Sequence, residues 1–329
     1  MSGGDSMGQT PHQGTAELVF VGGTGRSGTH VVASLLGEHS RFASVPIECR
    51  FHCNPNGLAD LVDGRTTPKE FVDKLRRFWW HRVRVGGRGT VRLRRLAARR
   101  GGDAKVRGLH KITTRERLDA AIVDFESTAD DDPVAASRAL FFALLGPVAE
   151  EEGKPTLVEM SCFTIASAGG LSRIFPEARF VHSVRDGRDS GSSKVSKRQK
   201  DHHPNDATSG IDWWEGRLRL AEDGVRALDD PSRLHVVCLD ELVWGDRDPS
   251  YEGLRSFLGV EDETAMRTFF DEQMSAGAAH RERWREGHSE DEQAAIVAAY
   301  EAALERIERD GFHCAALLRR SYERTAVAT

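Results

Sequence analysis

The sequence predicts an α/β fold of three layers, a central and mostly parallel sheet with flanking helices. Three observations lead there. Short apolar runs at 18–23, 155–160, 178–185 and 233–242 have the length and composition of buried strands. Helix-like blocks separate them, the alternation of a parallel sheet with crossover connections. A glycine-rich turn stands between the first strand and the first helix, the order of an anion-binding loop.

Taken in order, LVFVGG (18–23) is the first strand and THVVASLLGEH (29–39) the helix after it. ASVPIECRFH (43–52) places Glu48 at the end of a short strand. PTLVEM (155–160) and ARFVHSVR (178–185) are strands on either side of the helical ASAGGLSRIF (166–175), and RLHVVCLDEL (233–242) is the last strand. In the segment 291–312, Ile296, Val297, Tyr300, Leu304 and Ile307 fall on one helical face, and Gly311 stops the helix. No internal repeat is visible. The expected organisation is one domain over 16–329 behind a small, polar, disordered leader at 1–15.

The 329 residues carry a net charge of −5, which gives no bulk attraction to nucleic acid or membranes. The N-terminus lacks an apolar signal core, and no apolar run reads as a membrane span. Five scattered cysteines, Cys49, Cys53, Cys162, Cys238 and Cys314, fit a reducing, cytoplasmic setting. The CRFHC stretch at 49–53 has no second ligand pair at zinc spacing, so no metal is expected. The excess of arginine over lysine matches a GC-rich, bacterial coding bias.

One segment reverses the overall charge. Residues 65–111 hold sixteen Lys and Arg against three acids and read as a basic insertion. It is either a solvated basic face or a docking surface for an anionic or bulky acceptor, with Phe78, Trp79 and Trp80 as apolar anchors. No nucleic-acid fold accompanies the charge. Oligomeric state leaves no mark.

GGTGRSGT at 22–29 is P-loop-like, aiming backbone N–H groups and a helix N-terminus at an anion. The lysine of a triphosphate loop is missing, because Thr29 and His30 follow Gly28. Arg26 offers a fork of donors to a single phosphate instead. The second anchor is Arg185, at the end of a strand, with Ser193 eight residues on in a helix. Alone, RDGRD could be a capped turn with surface ion pairs.

Together the two segments resemble the sulfotransferases that use 3′-phosphoadenosine-5′-phosphosulfate (PAPS). GRSGTH at 25–30 is similar to the loop that holds the 5′-phosphosulfate in that family, and Arg185 with Ser193 is similar to its 3′-phosphate pair. VVCLDELVWGD and GLRSFLGV look like its later strand and helix, and RERWREG (281–287) like the loop that closes over the nucleotide. The resemblance implies PAPS as co-substrate, held by Gly25, Arg26, Ser27, Gly28, Thr29, His30, Arg185, Ser193, Trp284 and Arg285. It implies transfer of a sulfuryl group, without a metal, to a hydroxyl of a glycan, lipid-linked sugar, phenolic metabolite or tyrosine. By analogy with phosphoryl transfer the displacement is in line and loose.

In the branches acting on glycans and tyrosines the base is a glutamate about twenty residues past the loop. Glu48 stands there, with His52 as the alternative. Arg26 would stabilise the leaving phosphate. Relatives carry EKTP or EKSP where this chain has Glu159, Met160, Ser161 and Cys162, so a lysine near the sulfuryl group is missing. Lys111, Lys194 or an arginine of the insertion could replace it. Two other readings compete: an ATP-binding module, with VVCLDE as a magnesium-holding strand, and a non-catalytic binder using the basic insertion.

Overall fold

The computed structural model describes residues 17–84, 105–196, 206–277 and 281–327. The leader and most of the basic insertion, with Arg94 and Arg95, lie outside the described residues.

Strand β1 (Glu17–Gly23) is buried from Leu18 onward, as a strand covered on both faces must be. Its side chains alternate between two cores. Leu18 and Phe20 join the cluster of Phe141, Phe175 and Phe180, whereas Val19 and Val21 join Val32, Leu36 and Leu254. The other strands are β2 (Phe42–Ser44), β3 (Arg82–Arg84), β4 (Lys105–Arg107), β5 (Thr156–Met160), β6 (Arg179–Val184) and β7 (Leu234–Cys238). Five of them form a parallel sheet in the order β2-β5-β1-β6-β7. Helices cover both faces, so the expected three-layer α/β sandwich is the fold. β1 is its centre: Val21 stands beside Met160 of β5 on one side and Val181 of β6 on the other. The segments that follow these three strands therefore meet at one edge of the sheet.

Several elements differ from the sequence reading. The last strand is shorter, because Leu239–Val243 turns into a helix. Asp240 and Glu241 occupy its first turn, where negative charge complements the helix dipole. Glu48 lies in the loop four residues beyond β2, not at a strand end. The helix expected at 166–175 is a 3₁₀ turn, Ile165–Ser167, running into Ala168–Ile174.

In the basic insertion, helix Pro68–Lys74 opens with a Thr67–Glu70 capping box, and a π-turn at Leu75–Trp79 follows. An antiparallel pair, β3 and β4, comes next. Trp79 and Trp80 are buried in the main core at 0% and 8% exposure, while Phe78 is 51% exposed. Two of the three proposed docking anchors are thus core residues, turned inward by the π-turn.

Helix Pro133–Glu152 is long and apolar enough to cross a membrane by length and composition, contrary to the sequence reading. Its Leu140, Phe141, Leu144 and Leu145 are buried in the main core. Helix Glu290–Arg309, followed by a last helix Ala315–Val327, meets expectation, with Ile296, Tyr300, Leu304 and Ile307 buried.

Candidate active site

The turn after β1 is built on positive φ angles at Gly25, Arg26 and Gly28, of 82°, 65° and 89°. Gly28 precedes helix α1 (Thr29–Gly37), and no side chain caps that helix. A Cβ on Gly28 would strike Leu239, so glycine is required there for packing as well as for φ. The Ser183 hydroxyl donates to the Ser27 carbonyl at 2.6 Å, and the Gly23 N–H donates to the Cys162 carbonyl at 3.1 Å. The turn is thereby fixed to β6 on one side and to the end of β5 on the other. Ser27 is fully buried, and its Oγ has no hydrogen-bond partner among the described residues. An uncapped helix terminus and a spare buried hydroxyl in one turn suit an oxyanion.

Around the turn opens a cavity of about 900 Å³. Gly25, Arg26, Gly28, Thr29 and His30 line it, together with Glu48, Met160 and Arg185. Its further cations are Arg50, Arg107, Lys194 and Arg217, and Glu48 is the one carboxylate among the described lining residues. A nucleotide with several negative charges fits this balance and size.

The two anchors read from the sequence meet. Arg26 Nε donates to Ser193 Oγ at 2.9 Å. Arg185 leaves the end of β6 and lies 3.3 Å from Asp189 Oδ2 and 3.9 Å from Asp240 Oδ1. Asp240 in turn accepts the Asp186 N–H at 2.7 Å. Burial, reinforced by Asp186, pushes the Asp240 carboxyl up to about 7. It is an inward brace for Arg185 and does not line the cavity.

Glu48 is held from two sides. Arg50 pairs with its Oε2, and the Cys162 thiol donates to its Oε1 at 3.3 Å. Burial first, then the Glu48 charge, pushes that thiol up to about 12, so it stays a donor. Beneath, the buried Glu159 Oε1 accepts the Cys49 N–H at 3.2 Å and the Ser161 hydroxyl at 2.7 Å. Glu159 thus ties the loop carrying Glu48 to the end of β5.

His52 does not reach the cavity. It is fully buried, stacked on Phe20 with ring centroids 5.4 Å apart and with Nε2 2.9 Å from Glu159 Oε2. Trp284 and Arg285 do not line the cavity either. Trp284 is buried with the Arg188 guanidinium 4.8 Å from its ring, and Arg285 stacks on the same indole. Their segment is pinned from behind, since Asp189 accepts the N–H groups of Glu282 and Trp284 at 3.0 and 3.4 Å. Lys111 ends a 3₁₀ turn away from the cavity lining, whereas Lys194 lines it, 5.0 Å above the Trp213 ring. Where the relatives' lysine is expected, the Met160 sulfur lies 3.2 Å from His30 Nδ1.

Sequence reasoning missed Trp213 and Arg217. Both lie on helix Ala207–Arg226, four residues apart and so on one face. That i, i+4 pairing of an aromatic and a cation was the available signal.

The profile of the sulfotransferase family matches residues 18–264. No curated protein sequence matches significantly. Among solved structures, a sulfotransferase domain from the olefin synthase of Synechococcus PCC 7002 is similar at 14% identity, covering 91% of this chain and 98% of that one, with a TM-score of 0.43. Sulfotransferase STF9 from Mycobacterium avium is similar at 15% identity, with 89% and 77% covered and a TM-score of 0.45. STF1 from Mycobacterium tuberculosis H37Rv is similar at 12% identity, with 88% and 76% covered and a TM-score of 0.45.

Proposed function

The chain belongs to the sulfotransferase family, and from that premise we propose that it transfers a sulfuryl group from PAPS to an acceptor hydroxyl, with Glu48 as general base. The observation that carries this reading is one carboxylate, Glu48, facing a cavity whose other charged lining residues, among those described, are arginines and a lysine, beside a helix terminus that no side chain caps. The residues fit the donor: the turn at 24–29 suits the 5′-phosphosulfate, and Arg185 with Ser193 the 3′-phosphate. The donor supplies the activated sulfuryl group, transferred by displacement at sulfur.

The chain's own residues do the rest. Glu48 takes the acceptor proton as the new O–S bond forms. Arg50 and Cys162 orient that carboxylate. Arg26 and the first N–H groups of α1 stabilise the charge that gathers on the 5′-phosphate as its bond to sulfur breaks. A hydroxyl acceptor is the class this chemistry needs, whether on a glycan, a lipid-linked sugar, a phenol or a tyrosine.

The test is calorimetry with 3′-phosphoadenosine 5′-phosphate, ATP and ATP with magnesium, followed by transfer assays with labelled PAPS over a hydroxyl library. Binding of the 3′-phosphorylated nucleotide alone, with label transferred, is the expected result. Preference for ATP would refute it.

A further inference from the structure

We propose that Arg217 holds the transferred sulfuryl group, filling the role of the lysine that Met160 replaces in this chain. The inference rests on the PAPS reading above and assigns one side chain within it.

Most of the other cavity cations have visible commitments. Arg26 is bonded to Ser193, Arg185 to Asp189, and Arg50 to Glu48. Lys194 lies over the Trp213 ring, and Arg107 is exposed. Arg217 is different. It is largely withdrawn from solvent, with its guanidinium carbon 3.6 Å from the centre of the Phe163 ring. Its Nε donates to the Thr24 carbonyl at 3.3 Å. Among the described residues no carboxylate pairs with it. Its neighbours on the same helix behave otherwise: Arg219 pairs with Glu215 and Asp310, and Arg226 with Glu222.

A guanidinium does not shed its proton, so a charge left without an anion in a partly dry site is costly. Burial accordingly presses the Arg217 pKa downward, with the nearby Arg50 charge adding to it. A ligand oxyanion would relieve that cost, and the planar fork suits two oxygens of a sulfuryl group.

The position fits the task. Thr24 opens the turn that receives the 5′-phosphate, and Phe163 follows Cys162, which touches Glu48. Arg217 therefore borders both the turn and the neighbourhood of the base, the two ends of the path the sulfuryl group must travel. Nothing in the strand-end motifs names it, because it comes from a helix rather than from a loop after a strand.

The test compares PAPS with 3′-phosphoadenosine 5′-phosphate by calorimetry, without acceptor, on the full chain and on Arg217→Met and Arg217→Lys. Arg217→Met should weaken PAPS binding about tenfold or more while changing affinity for the unsulfated nucleotide by less than about twofold. Arg217→Lys should recover part of the loss, and it serves as the test if the methionine variant does not fold. Equal weakening of both nucleotides, or of neither, would overturn the assignment. A wild-type chain that binds neither nucleotide would refute the PAPS reading itself, a result distinct from failure at Arg217.

Discussion

Arg26 donates its Nε–H to the Ser193 hydroxyl at 2.9 Å, joining residues 167 positions apart. The turn after β1 and the helix after β6 therefore present one continuous polar surface. On the proposed reading, a nucleotide engages both together. Arg185 beside them should give a preference for the 3′-phosphorylated nucleotide over its dephospho form of more than about tenfold, from charge-assisted bonds of roughly 1.5–3 kcal/mol each. Calorimetry on the two nucleotides checks this, and Arg185→Ala should erase most of the difference.

Glu48→Gln keeps the size of the side chain and removes the carboxylate proposed as the base. Turnover should fall about 10²–10⁴-fold, while nucleotide affinity and melting temperature stay close to wild type. Single-turnover rates with calorimetry distinguish this from a general loss of binding. Normal turnover in this variant would move the proton acceptor elsewhere.

His52 is expected to act on stability. Burial works against its charged form, but Cys53 and Glu159 outweigh burial and raise its pKa from 6.5 to about 10. A raised pKa means that the folded state holds this proton more tightly than the unfolded chain does. The resulting stabilisation is complete below 6.5 and is lost as pH rises through about 10. His52→Gln should therefore lower the melting temperature most at neutral pH and below, and the gap to wild type should narrow towards about pH 10. Removing one member of a buried ion pair costs about 3–5 kcal/mol. Denaturation of both proteins across pH provides the measurement, and a constant gap would contradict the linkage.

The π-turn separates two kinds of aromatic residue. Trp79→Ala should cost about 3–5 kcal/mol, as for a large ring removed from a packed core. Phe78→Ser should stay within about 0.5 kcal/mol. Urea titrations of the two variants decide whether the inward rings support the fold in this way.

Arg107 is the described residue of the basic insertion that reaches the cavity. If that segment meets an anionic acceptor, Arg107→Glu should raise the acceptor KM about tenfold and leave nucleotide affinity unchanged. Steady-state kinetics with calorimetry read both. Unchanged acceptor KM would make the basic face a solvated surface.

The parts of the fold that were legible were those with a short period and a strong boundary. β1, β5 and β6 are continuous apolar runs, and the glycines of the turn demand positive φ. Glu48, Arg26 and Arg185, which line the cavity, and Ser193, which bonds Arg26, stand out in the sequence because each lies at a fixed distance from a strand or turn. His52 and Trp284 also stand near motifs, but both are buried and neither lines the cavity. A polar ring near a motif looks functional in sequence, yet whether it faces the cavity or the core depends on distant partners, Glu159 of β5 for His52 and Arg188 with Asp189 for Trp284. The helical turn Leu239–Val243 was hidden because LDEL continues the apolar tone of β7, and only the contact between Asp240 and Asp186 reveals the break. Arg217 shares a helix face with Trp213, a pattern present in the sequence, but its significance needed tertiary context: among the described residues no carboxylate pairs with it.

The strand order also bears on synthesis. Glu17 of the central strand stands beside Thr156, 139 residues later, and Val19 beside Arg179, later still. A ribosome therefore releases β1 long before either flanking strand exists, leaving both its edges open through much of translation. Such an edge is a template for wrong pairing, and parallel partners separated this widely close slowly. The turn after β1 emerges early but acquires its β6 brace, Ser183, only after most of the matched domain has been made. Nascent chains arrested before about residue 185 should accordingly recruit holdase chaperones, and the nucleotide should not rescue them.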